Sequence, residues 1–247
     1  MTRLEIKPRE VLVTAGIVAI MLALGVMIHH SIAAGSQRRL EQYTTAVQIS
    51  DAVQFRYGMD TNFGNALVYG TLSAVDPVSY PEAAGEYLYI QKTEEHYNMH
   101  TRTVTTTDSQ GNTHTHIEVY YSWDYAGREA RTCTRVQFLS QIFDRDKFYY
   151  QTQPVYLDGR RYLTEGHTRW YFDAVPAAFD VTIHTDLRDG TIPDKPEMFL
   201  SQTPEEVVSY KIKYQNIPLI IFWVFWLIVA GGAAAGFIYA ENNWLDD

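Results

Sequence analysis

Residues 217–240, IPLIIFWVFWLIVAGGAAAGFIYA, contain no charged side chain. A helix needs about 20 apolar residues to cross the hydrocarbon core of a bilayer, so this run is long enough to span one. A second apolar run, VLVTAGIVAIMLALGVMI at 11–28, lies near the other end of the chain. Nearly all the polar sequence falls between the two. The expected architecture is α+β: two transmembrane helices, 11–34 and 217–240, flank a β-rich, mainly antiparallel extramembrane domain at 35–216. Short tails at 1–10 and 241–247 complete the division.

The tails set the expected topology. The first carries Arg3, Lys7 and Arg9, and the last, ENNWLDD, carries only acids. A short basic segment ahead of an apolar run reads as a signal anchor with its basic end in the cytoplasm. The run exceeds the usual h-region of a cleaved signal peptide, which favours an uncleaved anchor, although Ser31-Ile32-Ala33 offers a small-residue cleavage site. With two spans, both tails are expected in the cytoplasm and the domain on the extracytoplasmic side. Arg38, Arg39, Lys211 and Lys213, next to the spans on the domain side, argue the other way. His29 and His30 fall at the expected membrane exit, where headgroups and water wet them. Gly232 and Gly236 form a GxxxG, the spacing that lets another helix approach closely. These are the candidate helix-packing residues. Their partner is either the first span, whose Gly16 and Gly25 are also small, or a second copy.

Between the spans, 36–59 has apolar residues at broadly helical spacing and predicts a helix packed on the domain by one face. From Gly64 the character changes to strand. GNALVYGTLSAV is a glycine-bracketed run rich in residues that favour sheet, and EYLYIQKTEEHYNMHTRTVTTT is a long strand region. The cluster DSQGN at 108–112 is a turn, and THTHIEVYYSW returns. In that return, Ile117, Val119, Tyr121 and Trp123 share one face and His114, His116, Glu118 and Tyr120 the other. A five-residue loop puts Thr107 opposite Thr113, and counting down places Arg102 opposite Glu118, a favourable cross-strand pair. TCTRVQFLSQIF is a strand or a short helix, which periodicity does not decide. HTRWYFDAV and AAFDVTIHTDL read as further strands. Thr203-Pro204-Glu205-Glu206 has the cap, proline and acids of a helix start. That helix either runs into the second span with a kink at Pro218 or ends where Pro218 marks membrane entry.

The chemistry the residues offer is sparse. Twenty Lys and Arg against 29 Asp and Glu give a net charge of -9, which excludes the basic face that nucleic acid requires. One cysteine, Cys133, precludes an internal disulfide and reads as a small buried hydrophobe. His114 and His116 are the best metal candidates. They point to one strand face, but zinc needs three or four converging ligands, and His100 lies about 13 Å away along the strand at 3.3 Å per residue. The acids Glu94, Glu95, Asp144 and Asp146 read as a solvated charged face. There is no Gly-x-Ser-x-Gly, no Gly-rich phosphate loop and no Asn-x-Ser/Thr sequon. No metal, cofactor, catalytic residue or small-molecule substrate is therefore expected.

Segments 64–75, 85–97, 120–124 (YYSWD) and 166–174 (GHTRWYFDA), in the order span, β-rich domain, span, resemble the beside-a-membrane or GIDE-type domains. These lie between two spans in mitochondrial ubiquitin-ligase activators and in the related LUMA-type membrane proteins. The resemblance covers about a third of the domain in loose patterns. It implies a compact β-domain near the bilayer that serves protein interaction or membrane organisation. The seven residues after Ala240 contain no cysteine, so the RING-borne ligase activity of the activators does not carry over, and the further spans of LUMA-type proteins are also missing. The expectation is a non-enzymatic two-span protein whose domain meets a protein partner or a second copy, with lipid around its spans. The alternatives are a metal-dependent sensor or hydrolase using the His114/His116 face, and an accessory subunit docking through Gly232 and Gly236.

Overall fold

The computed structural model describes residues 8–244; expectations for 1–7 and 245–247 lie outside the described residues. Among the described residues there are four α-helices: α1 (Pro8–Thr44), α2 (Ala52–Asp60), α3 (Pro204–Tyr214) and α4 (Ile217–Trp244). The chain divides into a helical unit, up to residue 47 and from residue 204, and a β-rich unit, 48–203. The divisions expected at 34/35 and 216/217 thus fall within the helical unit.

In the helical unit, α1 and α4 are each long and apolar enough to cross a membrane. α1 runs past residue 34 because no proline interrupts it before Thr44. α3 and α4 are separate helices, with Pro218 in the first turn of α4, where its missing N–H costs nothing. The α1–α4 contact is made at Gly25. A Cβ there would meet the Trp226 indole at 2.5 Å and Trp223 at 3.3 Å. Without one, the Trp226 Nε1–H reaches the Met21 carbonyl at 2.9 Å, one turn before Gly25, and the Trp223 Nε1–H donates to His29 Nδ1 at 3.1 Å. His29 is therefore a helix-packing residue and not merely a wetted end of a span. A Cβ on Gly232 or Gly236 meets nothing within 4 Å, so α1 is not the partner of that pair.

The helix expected over 36–59 is broken. After Thr44 comes β1 (Val47–Ile49), which pairs with a later strand and buries Ile49. The Asp51 carboxylate then accepts the Val53 and Gln54 N–H groups at 3.0 and 2.9 Å and caps α2. Phe55 and Met59, one turn apart on α2, are both buried in the core.

The remaining strands are β2 (Gly64–Ala74), β3 (Val78–Tyr80), β4 (Ala83–Thr107), β5 (Thr113–Thr132), β6 (Arg135–Phe138), β7 (Gln141–Asp144), β8 (Gln153–Val155), β9 (Leu163–Glu165), β10 (Thr168–Pro176), β11 (Ala178–Leu187) and β12 (Glu197–Leu200). They form two sheets. One has the order β12-β11-β2-β6-β7, with β1 beside β2. The other has the order β3-β4-β10-β8, with β5 on β4 and β9 on β10. Ala66, Val68 and Leu72 of β2 and Val181 and Ile183 of β11 supply core from the first sheet, and Leu88 and Val175 from the second. The undecided stretch at 132–143 is a β6–β7 hairpin. Its two-residue turn, Leu139-Ser140, has φ of 45° and 65°, the left-handed pair of a type I′ turn without the Asn-Gly that usually announces one.

Asp76 fastens the two chain crossings next to the core. Its carboxylate accepts the Thr134 hydroxyl at 2.7 Å, the Thr134 N–H at 2.8 Å and the Arg135 N–H at 3.0 Å. These bonds to the charged form hold its pKa at about 2, below the ordinary 3.8. The folded value is depressed, so the stabilisation is complete above 3.8 and is lost as pH falls toward about 2. Asp76→Asn is expected to lower the thermal unfolding temperature at pH 7, with the gap from wild type closing across that acidic window. In the helical unit, Gly25→Leu is expected to destabilise by about 1–3 kcal/mol through overpacking. Gly232→Leu and Gly236→Leu are expected to stay within about 0.5 kcal/mol, all read by thermal unfolding in detergent.

Candidate functional site

β4 is 25 residues long, far beyond the usual five or six. Along its first part it has neighbours on both edges: β10 pairs with it from Tyr87 to His96, and β5 from Tyr89 onward. After His96 β10 stops. β4 and β5 continue alone to the turn as a two-stranded arm, residues 97–107 against 113–123. At 3.3–3.4 Å per residue the arm extends about 35 Å. Its register is the one the sequence dictates, with Thr107 opposite Thr113 and Arg102 opposite Glu118.

The two faces of the arm differ in kind. One is largely polar and carries its own ion pairs. Arg102 Nε donates to Glu118 at 2.7 Å, and Asp124 accepts from Asn98 at 2.9 Å and Ser122 at 2.8 Å. His100 pairs with Asp124 at 2.7 Å and stacks on Tyr120. Hydrogen bonds from Asn98, Ser122 and His100 hold the Asp124 carboxyl below its ordinary range. The other face carries Tyr97, Met99, Thr101, Thr103, Thr105, Thr115, Ile117, Val119, Tyr121 and Trp123, without a formal charge. Ile117 is 72%, Met99 61%, Tyr121 55% and Val119 52% exposed. A sheet face with this alternation is ordinarily packed on a core; here it is open.

The root of this face is held by a continuous stack of rings and guanidinium groups. Arg161 lies 4.7 Å over Tyr171, which meets Tyr162 edge-on at 5.6 Å. Arg169 lies between Tyr162 at 4.2 Å and Trp123 at 4.4 Å. Trp123 meets Tyr97 at 5.1 Å, and Tyr97 stacks on Tyr121 at 5.5 Å. Two half-buried ion pairs anchor the cations: Arg169 Nε to Glu95 at 2.5 Å and Arg161 to Asp173 at 2.6 Å. Arg161 also donates to the Phe172 carbonyl. At the far end, Asp108 Oδ1 accepts the Gln110 and Asn112 N–H groups, both at 2.9 Å, and closes the turn. Gly111, at φ 88°, supplies its left-handed residue.

The other sequence candidates are dispersed. His114 is 3.5 Å from Asp108 and largely exposed, while His116 lies opposite Val104. Among the described residues, no three His, Cys, Asp or Glu side chains gather closely enough to hold a metal ion. Glu94 is engaged by His96, Glu95 by Arg169 and Asp146 by Arg145. Cys133 is buried, and burial pushes its thiol pKa up. A cleft of about 610 Å³ lies beside β8 and β12, lined mostly by apolar and aromatic side chains, among them Tyr149, Val175, Phe179, Met198 and Leu200. The sequence does not announce the stack, because Arg169, which joins the Arg161–Tyr171–Tyr162 group to the arm, has its partners Trp123 and Glu95 at separations of 46 and 74 residues. The tyrosine content was the only signal.

Comparison of the chain with protein-family models, with curated proteins and with solved structures returns no match. The resemblance to beside-a-membrane-type domains rests on the sequence segments alone.

Arg169 joins two rings and one carboxylate at the root of the arm. Arg169→Ala is expected to cost about 2 kcal/mol, from one charge-assisted hydrogen bond and its ring contacts. Hydrogen exchange should localise the effect, with protection falling first over 95–99 and 121–125 and not over β2 and β11.

Proposed function

We propose that the chain is a non-enzymatic interaction module held in a membrane by α1 and α4, with its β-rich unit on the extracytoplasmic side. The single observation that carries this reading is the arm. A ribbon of two strands is marginal in water on its own, yet this one runs about 35 Å beyond its last flanking strand. On its polar face Arg102 is paired with Glu118 and His100 with Asp124. Its uncharged face shows large apolar side chains to solvent, and exposed apolar patches of several hundred Å² mark contact sites. The basic residues ahead of the first apolar run support the orientation, and the beside-a-membrane resemblance supports the class of function.

A second reading is an accessory subunit of a membrane complex. The open space around Gly232 and Gly236 favours it, because close helix approach requires such a face.

The full chain purified in mild detergent, alongside Ile117→Asp, separates the readings. If the arm is the contact surface, chains that co-elute with the wild type, including a second copy, fall at least about tenfold with Ile117→Asp; burial of a charge at a contact costs that much or more. Retention of every companion with Ile117→Asp and their loss with Gly232→Leu favours the accessory-subunit reading. Digestion of the β-rich unit in intact cells by external protease supports the orientation, and full protection overturns it.

A further inference from the structure

We infer that the uncharged face of the arm is a self-association surface, and that its occupant is the same face of a second copy of this chain. The inference rests on the reading of the arm as a contact surface and names the partner. Three observations lead to it.

The first is charge. In a two-fold interface the same patch meets itself, so any charge on it meets its own kind. This chain carries a net -9, and most of its surfaces would repel their copies. The face from Tyr97 to Thr105 and from Thr115 to Trp123 carries no charge at all. The opposite face would set Glu118 and Asp124 against their own copies, and both are already engaged by Arg102 and His100.

The second is area. The exposed parts of Tyr97, Met99, Ile117, Val119 and Tyr121, with the threonine methyls between them, come to on the order of 600 Å² per copy. Two copies would bury about 1,200 Å², the lower end of specific interfaces. Nothing larger is needed, because chains confined to one bilayer meet at a raised effective concentration.

The third is what the face lacks. Arg102, the only Lys or Arg on the arm, is spent on Glu118, and the turn is led by Asp108. A surface for phosphate headgroups or for an acidic partner needs free cations. Threonine, valine, isoleucine and tyrosine suit close packing of one sheet face on another.

Single-cysteine crosslinking in native membranes tests this, because Cys133, the only cysteine, is buried. Cysteines are placed in turn at Thr101, Ile117 and Val119 on the uncharged face, and at Thr106 and His116 on the opposite face. On mild oxidation, at least one of the first three is expected to give a species of twice the chain mass, and neither of the last two. In parallel, sedimentation of the detergent-solubilised full chain should show Val119→Asp dissociating at least tenfold more readily than wild type, with its circular dichroism unchanged. Equal crosslinking from both faces, or a wild-type dimer indifferent to Val119→Asp, overturns the inference by placing self-contact elsewhere. Crosslinking of the uncharged face only to a chain of another mass overturns self-pairing while sustaining the arm as a contact surface. No crosslinked species from any position, with monomeric wild type and no companion lost on Ile117→Asp, overturns both.

Discussion

The hydrogen bonding of β4 is the constraint on which the β-rich unit depends. One edge of this strand is occupied first by β3 and then by β5, and the other by β10 as far as His96. Because β4 carries β3, β5 and β10, its alternation sorts its side chains between the main core and a second apolar cluster around Ile90, Phe172 and Ala174. Tyr89 and Val175 pack against the main core, and the same face then passes through Gln91, Thr93 and Glu95 to Tyr97 and Met99. The open face of the arm is thus the inward face of a sheet carried past the end of the layer that covers it. A slip of one residue would exchange the two faces along the whole strand.

Much of this was legible in the sequence. The β4–β5 register followed from a turn cluster, a two-residue period and one opposite-charge pair, all local signals. The strands at Gly64, Thr168 and Ala178 were also legible, as runs of sheet-forming residues between turn signals. What local signals do not carry is the lateral extent of a sheet. Whether β10 accompanies β4 for ten residues or twenty depends on where the chain turns back from β9 into β10, at Gly166-His167. That decision, invisible in β4 itself, creates the arm.

The stretch misread and those left open have a common cause, which is that a local pattern does not show its partner. The stripe over 36–59 has helical spacing, but Ile49 gains more by burial beside β2, and Asp51 offers a cap that starts a new helix. Leu139-Ser140 turns a hairpin that no glycine announces; Gly70, across the sheet, leaves room for the Leu139 side chain. The GxxxG of α4 marks where a helix is able to approach, not which helix does. Gly25 was visible only as one small residue among several, because its significance lies in two tryptophans about two hundred residues away.

Those two tryptophans have a mechanical consequence. Trp223 and Trp226 project from one side of α4, and their acceptors, His29 and Met21, are eight residues apart on α1. At 1.5 Å per residue the attachments are separated by about 12 Å along the helix axis. A single pin would leave α4 free to swivel about it. Two pins at that separation remove swivel and sliding together. Any torque or axial pull reaching one helix must therefore be shared by the other, and the pair acts as one lever in place of two independent tethers.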